Sequence, residues 1–77
     1  MKTYSVLQKY RNVEGEEVIS VSIREKMNYD EAKMYVNRVL EADFELFGWE
    51  YNEHGYKGSE VFICDQNGSC YEIVEEK

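Results

Sequence analysis

The sequence predicts an α+β domain of two layers, in which one helix packs on one face of an antiparallel sheet of four to five strands. Apolar and polar residues alternate in two early segments, apolar residues recur at helical spacing in a central segment, and alternation returns toward the end. The predicted order of elements is β-β-α-β-β-β. Since one helix can cover one face of one sheet, we expect residues 1–77 to form a single domain.

The first predicted unit is a β-hairpin made by residues 3–11 and 17–24. Both segments alternate between polar residues and β-branched or aromatic ones, as strands with one solvated face do. Gly15 lies between them and can take the positive φ that a short hairpin loop requires. One side of the first strand carries Tyr4, Val6 and Tyr10, and the expected core residues of the second are Ile19, Val21 and Ile23.

The central segment predicts one amphipathic helix that starts near residue 29. Asn28 is a good N-cap, and Glu31 follows three residues later, as in a capping box. Two ends remain open: the helix stops near Asp43, or it continues through two phenylalanines to Gly48, a natural C′ residue. The predicted apolar stripe consists of Ala32, Tyr35, Val36, Val39 and Leu40.

The remaining residues predict three short strands around residues 49–53, 61–64 and 69–74. Residues 55–59 are predicted as a loop. Asn67-Gly68 is a strong signal for a two-residue hairpin turn.

That turn fixes a testable register for the last hairpin. It places Cys64 opposite Tyr71 and Phe62 opposite Ile73, with all four side chains on one face. Cys70 then lies on the other face, where Cys64 cannot reach it, so we expect two free thiols.

Charge divides the chain into two unequal halves. Residues 1–40 contain seven Lys/Arg and six Asp/Glu, whereas residues 41–77 contain two Lys/Arg and ten Asp/Glu. Seven of the eleven aromatic residues also lie in the acidic half. A field of one sign that contains large aromatic side chains is typical of a surface that binds a basic partner.

Several classes of function are disfavoured by composition. No apolar run approaches the roughly 18 residues of a membrane span, and the first residues lack the apolar core of a signal peptide, so we expect a soluble, cytoplasmic protein. A net charge of −7 disfavours direct binding to nucleic acid or to anionic membranes. The single histidine, His54, has no second histidine or Cys-x-x-Cys beside it, so we expect an exposed loop residue, no metal and no cofactor. We expect that the protein is not an enzyme, because it has one histidine to act as a base and 77 residues leave little material for a substrate pocket as well.

These observations predict a small acidic protein-binding module. In general character it is similar to many phage-encoded inhibitors, although no motif carries that resemblance. It implies a basic protein partner, such as a nucleic-acid-processing or defence enzyme whose phosphate-binding groove the carboxylates would occupy. The alternatives are a solvated surface that only keeps the protein soluble, and a structural or regulatory homo-oligomer such as a homodimer paired along a hairpin edge. The predicted partner-binding residues are Glu41, Asp43, Glu45, Trp49, Glu50, Tyr51, Glu53, Tyr56 and Glu60.

Overall fold

The computed structural model describes residues 1–11 and 17–77, with the side chains of residues 1–10 and 20–77. The predicted turn at Gly15 and the predicted inward side chain of Ile19 lie outside the described residues. The elements are β1 (Tyr4–Arg11), β2 (Glu17–Met27), α1 (Tyr29–Phe47), β3 (Tyr51–Tyr56), β4 (Ser59–Cys64) and β5 (Cys70–Glu75).

The five strands form one antiparallel sheet in the order β2-β1-β5-β4-β3, and α1 packs against one face. The predicted α+β class and element order are confirmed. The first and last strands pair in the centre, with Val6 opposite Ile73, while β2 and β3 form the two edges. The core between helix and sheet consists of Tyr4, Val6, Ala32, Val36, Phe62, Tyr71 and Ile73.

The helix starts as the sequence predicts and takes the longer of its two predicted ends. The Asn28 side chain accepts a hydrogen bond from the backbone N–H of Glu31, and the Glu31 side chain accepts one from the N–H of Asn28. At the other end, Gly48 adopts φ +71° and its N–H donates to the carbonyl oxygen of Phe44. The left-handed conformation at Gly48 turns the chain back toward the sheet.

Two features of β2 and β3 differ from prediction. Val21 is exposed, because it lies opposite Gln8 on an edge strand with no neighbour on its outer side. Residues 55–59 are not a loop: β3 and β4 continue to a two-residue turn at Lys57-Gly58, where Gly58 supplies the positive φ at +92°.

The last hairpin keeps the predicted faces but not the predicted register. Phe62 lies opposite Tyr71, two residues away from the prediction. The loop spans four residues, because Cys64 N–H donates to the Ser69 carbonyl oxygen and the Asn67 side chain accepts from the Ser69 N–H. A shift of two residues preserves the side on which every side chain points. Cys64 and Cys70 therefore lie on opposite faces, and neither forms a disulfide.

Candidate functional site

The last turns of α1 expose three large apolar side chains. Phe44 is 57% exposed, Leu46 is 73% exposed and Phe47 is 59% exposed. The side chains of α1 that pack on the core extend no further than Leu40, so its last turns contribute exposed side chains. We call the surface formed by Phe44, Leu46, Phe47 and Trp49 the helix-end patch.

Trp49 is fixed against this patch by the turn at Gly48. Its ring stacks on that of Phe47, with centroids 4.5 Å apart and an angle of 27° between the ring planes. Offset stacking of this kind contributes beyond simple burial. The two rings form a pre-organised aromatic surface at the end of the helix.

Three exposed carboxylates lie close along the chain to the residues of the helix-end patch. Glu41 and Glu45 are exposed on the last turns of α1, and Glu50 is exposed beside Trp49. The last turn contains no basic residue, although the helix C-terminus carries a partial negative charge that a cation would stabilise. This like charge does not strengthen the helix. It creates a local field that attracts a positive partner.

An open cleft of about 320 Å³ adjoins the patch, and Trp49 lines both. Four aromatic rings and one carboxylate contribute to its walls, from β1, the helix, β3 and β5. The remaining lining residues are polar, apart from Cys70. The cleft is lined by Gln8, Tyr10, Asp43, Trp49, Tyr51, Asn67, Ser69, Cys70 and Tyr71.

Asp43 is held in this cleft by hydrogen bonds from tyrosine. The Tyr51 hydroxyl donates to Asp43 Oδ2 at 2.6 Å, and Gln8 Nε2 donates to the Tyr71 hydroxyl oxygen at 3.1 Å. Burial, followed by the hydrogen bond to Asp43, raises the pKa of Tyr51 well above its usual value. Burial and the nearby Asp43 charge raise the pKa of Tyr71 to about 12. Both phenols therefore remain neutral donors over the whole physiological range.

Six of the nine predicted partner-binding residues lie at this end of the molecule. Three are exposed carboxylates near the helix-end patch, and three line the cleft. Since they come from the end of α1 and the chain that follows it, the turn at Gly48 is what brings them together. They are Glu41, Asp43, Glu45, Trp49, Glu50 and Tyr51.

The other three predicted residues do not belong to this surface. Glu60 is only 2% exposed: it accepts hydrogen bonds from the Tyr29 hydroxyl and from Lys33 Nζ. Glu53 forms an ion pair with the same Lys33 Nζ at 2.6 Å. Tyr56 is 76% exposed but lies opposite Ser59, on the sheet face away from the helix. A partner bound at the helix end would not touch Glu60 or Tyr56.

The group around Lys33 joins the helix to the sheet. Burial opposes the charge on Lys33, but hydrogen bonds to Glu53 and Glu60 outweigh it and raise the pKa of the ammonium group. Burial likewise opposes the charge on Glu60, whereas hydrogen bonds from Lys33 and Tyr29 outweigh it and lower the pKa of the carboxyl group. One ammonium group pairs with two carboxylates, so the group keeps one net negative charge, but Lys33 holds both carboxylates within the fold. This group therefore stabilises the domain and offers little to a partner.

The predicted partner-binding residues do not include Phe44, Leu46 or Phe47, which the structure exposes. Phe47 lies at nearly the same angle around α1 as Val36, so periodicity alone suggests burial. The exposure of Phe47 depends on where α1 lies over the sheet, which local periodicity does not reveal. For Glu60, the signal for burial was its spacing along β4: Phe62 and Cys64 follow at two and four residues, so all three side chains lie on one face of the strand.

Within the described parts of the chain, no group of three or more His, Cys, Asp or Glu residues is arranged to hold a metal ion. His54 lies on β3 opposite Val61, in a strand rather than in the predicted loop, and it is exposed. No helix in the described residues has the length and apolar character required to cross a membrane.

Comparisons with protein-family models, with curated proteins and with solved structures find no match for this chain. The fold and the site define a small α+β domain with an acidic, aromatic surface at one end. Its function is therefore argued from that surface.

Proposed function

We propose that this protein is a small acidic binding module that docks on a basic surface of a partner protein through the helix-end patch. The observation that carries the proposal is the exposure of Phe44, Leu46 and Phe47 at a helix terminus with no basic residue in its last turn. Binding energy at protein interfaces concentrates in a few aromatic anchors, and surrounding charges steer the partner. The patch supplies the anchors, and the nearby glutamates supply the charge.

The partner class follows from the sign of the charge. Carboxylates presented on a compact surface can occupy a groove that otherwise receives nucleic-acid phosphates. We therefore propose an inhibitor of the phage type, whose partner is a nucleic-acid-processing or defence enzyme. Its mode of action is competition: the module covers the basic groove and excludes the nucleic acid.

The test compares two charge-reversed variants of equal net charge. Glu45→Lys/Glu50→Lys alters the helix-end patch, whereas Glu25→Lys/Glu75→Lys alters exposed residues on β2 and β5. Each variant and the unaltered protein are immobilised, exposed to lysate, and washed at low salt or at about 1 M salt, where the Debye length is about 3 Å. We expect the unaltered protein and the control pair to retain a basic protein at low salt and to lose it at high salt. The patch pair should not retain it.

A second measurement tests the inhibitory action. The retained protein is purified, and its binding to a nucleic acid is measured with and without the module. We expect the module to reduce that binding and Phe47→Ala to restore it, because the aromatic anchor is removed. Retention that is equal for both charge-reversed pairs would overturn the assignment to this surface. Retention of the protein's own copies alone, insensitive to salt, would replace the proposal with a homo-oligomer built through apolar contacts.

A further inference from the structure

The cleft beside the helix-end patch has a composition that the docking proposal does not explain. An apolar anchor would need an apolar pocket, yet this one contains the Asp43 carboxylate and the polar side chains of Gln8 and Asn67. An anion would be repelled by Asp43 and by the negative end of α1. The occupant that suits both the rings and the carboxylate is a cation with an extended apolar or planar part.

Elsewhere in the described structure, three aromatic rings already have a cation from the same chain. Arg24 lies 5.2 Å from the centroid of the Tyr35 ring, and Lys33 lies 5.0 Å from that of Phe62. Lys57 lies 4.8 Å from the centroid of Tyr29. Among the described residues, no such contact involves the cleft rings of Tyr10, Trp49, Tyr51 or Tyr71.

Asp43 shows the same pattern. The ion pairs within the described part of the chain are made by Lys2, Lys9 and Lys33, and their partners are glutamates, not Asp43. Asp43 is instead held by the neutral Tyr51 hydroxyl through one of its oxygen atoms. This bond orients the carboxylate and leaves its charge uncompensated by any described lysine or arginine.

We propose that the cleft between Asp43 and the rings of Tyr10, Trp49, Tyr51 and Tyr71 receives a single arginine side chain of the partner protein. A guanidinium group is planar, stacks on aromatic rings and donates two parallel hydrogen bonds to a carboxylate. A lysine ammonium group is more strongly hydrated and cannot stack, so arginine is the better occupant. This inference deepens the proposed function and rests on it for the identity of the partner.

Trp49 makes the cleft directly observable, because it is the only tryptophan in the chain. The probes are three blocked tripeptides, Gly-X-Gly, in which X is arginine, lysine or citrulline. Citrulline keeps the shape of arginine without its charge. Binding is followed by Trp49 fluorescence and by the NMR signal of its indole N–H.

We expect the arginine peptide to bind saturably with a Kd of the order of 1 mM, which is typical of one isolated anchor. The lysine peptide should bind about 5-fold more weakly and the citrulline peptide at least about 10-fold more weakly, as loss of stacking and of charge requires. Equal binding of citrulline, or no saturable change with the arginine peptide, would overturn the inference. Equal binding of lysine would overturn the choice of arginine.

Variants locate the binding within the cleft. Asp43→Asn should weaken the arginine peptide about 10-fold, the scale of one charge-assisted contact. Tyr10→Ala removes one wall without touching Asp43 and should weaken binding about 3-fold or more, so the inference remains testable if Asp43→Asn does not fold. Glu25→Gln, an exposed residue on β2 outside the cleft, removes one negative charge as Asp43→Asn does. It should bind the arginine peptide within about twofold of the unaltered protein, because an exposed charge contributes little.

The two proposals can fail separately. If the arginine peptide does not bind but the basic protein is still retained in a salt-dependent manner, the cleft inference is wrong and the docking proposal stands. If the peptide binds and no basic protein is retained, the cleft inference stands and the docking proposal is wrong.

Discussion

Lys33 Nζ lies 2.8 Å from Glu60 Oε2, and this ion pair joins α1 to β4. Among the described residues, Glu60 is the only charged residue that is buried. The lysine is on α1, and the glutamate is on β4, next to Phe62 in the core-facing row. A buried carboxylate is tolerated only when its charge and its hydrogen-bonding capacity are both satisfied. Lys33 satisfies the charge, and the Tyr29 hydroxyl supplies a further hydrogen bond.

Removing Lys33 should therefore destabilise the domain strongly. Lys33→Met keeps the length of the side chain but leaves Glu60 buried without a cation, which costs about 3 kcal/mol. The free energy of unfolding is measured by urea denaturation followed by circular dichroism. The control is Lys2→Met, because Lys2 makes only an exposed ion pair at 3.6 Å with Glu75 and should cost less than about 0.5 kcal/mol. Equal costs for the two variants would show that the Lys33–Glu60 pair contributes no more than a surface contact.

Glu76 should make stability depend on pH at the acidic end. Its carboxylate accepts hydrogen bonds from the hydroxyls of Thr3 and Ser5 and from the backbone N–H of Lys26, and these bonds lower its pKa to about 2. Because the pKa is lower in the folded state than in the unfolded chain, this stabilisation is complete above the unfolded value. It is lost as the pH falls from about 4.5 toward about 2.

The test is the midpoint of thermal unfolding measured through that acidic range. Glu76→Gln should flatten the pH dependence, since the titrating group is absent. Glu45→Gln is the control, because Glu45 is exposed near the C-terminal end of α1, whereas Glu76 contacts Lys26 just before the N-terminal end of the helix. A variant at Glu76 that retains the full acid sensitivity would contradict the prediction.

The tyrosines should titrate in two groups. Burial and Asp43 raise the pKa of Tyr51 and Tyr71, and the hydrogen bond to Glu60, with burial, raises that of Tyr29. Since the neutral phenol is favoured in the folded state, stability is complete below the unfolded pKa of about 10 and falls as the pH rises above it. Phenolate absorbance measured against pH should therefore show a subset of tyrosines that ionises only on unfolding. Ionisation of all seven tyrosines in one reversible step without loss of structure would contradict this.

Two glycines with positive φ should respond differently to alanine. At Gly48 a β-carbon would meet nothing within 4 Å, so Gly48→Ala costs only the backbone conformation, about 1 kcal/mol. At Gly55 a β-carbon would lie 2.2 Å from the Ser59 carbonyl oxygen, and the two strands would have to separate. We expect Gly55→Ala to cost at least about twice as much, in line with backbone strain combined with a clash. Urea denaturation ranks the two variants, and a larger cost at Gly48 would be inconsistent with this geometry.

The sequence predicts those parts of the fold that depend on neighbouring residues. The capping box at Asn28 and the alternation that predicts β1 are local patterns, and the helix start and the strand are both confirmed. The four-residue loop after Cys64 was missed because the Asn67 side chain bonds the Ser69 N–H and extends the turn. Asn-Gly alone does not distinguish that arrangement from a tight turn.

The candidate site was only partly predictable for a different reason. Exposure of Phe44 and burial of Glu60 both depend on where the helix lies over the sheet. Lys33 and Glu60 are 27 residues apart, so no local pattern relates them. The glutamates that follow the helix were predicted from charge alone, and charge density does not reveal which of them find a partner within the fold.

The central position of the β1–β5 pair determines when the domain can be completed during synthesis. The first strand emerges from the ribosome early, but its inner neighbour is the last strand made. Until residues 70–75 are available, Val6 lacks its partner Ile73, and the hairpin of β3 and β4 has no strand linking it to the rest. Contacts between such distant segments slow folding. The sheet should therefore be completed in one late step, once β5 has been made, whereas the hairpin of β1 and β2 can form before that step.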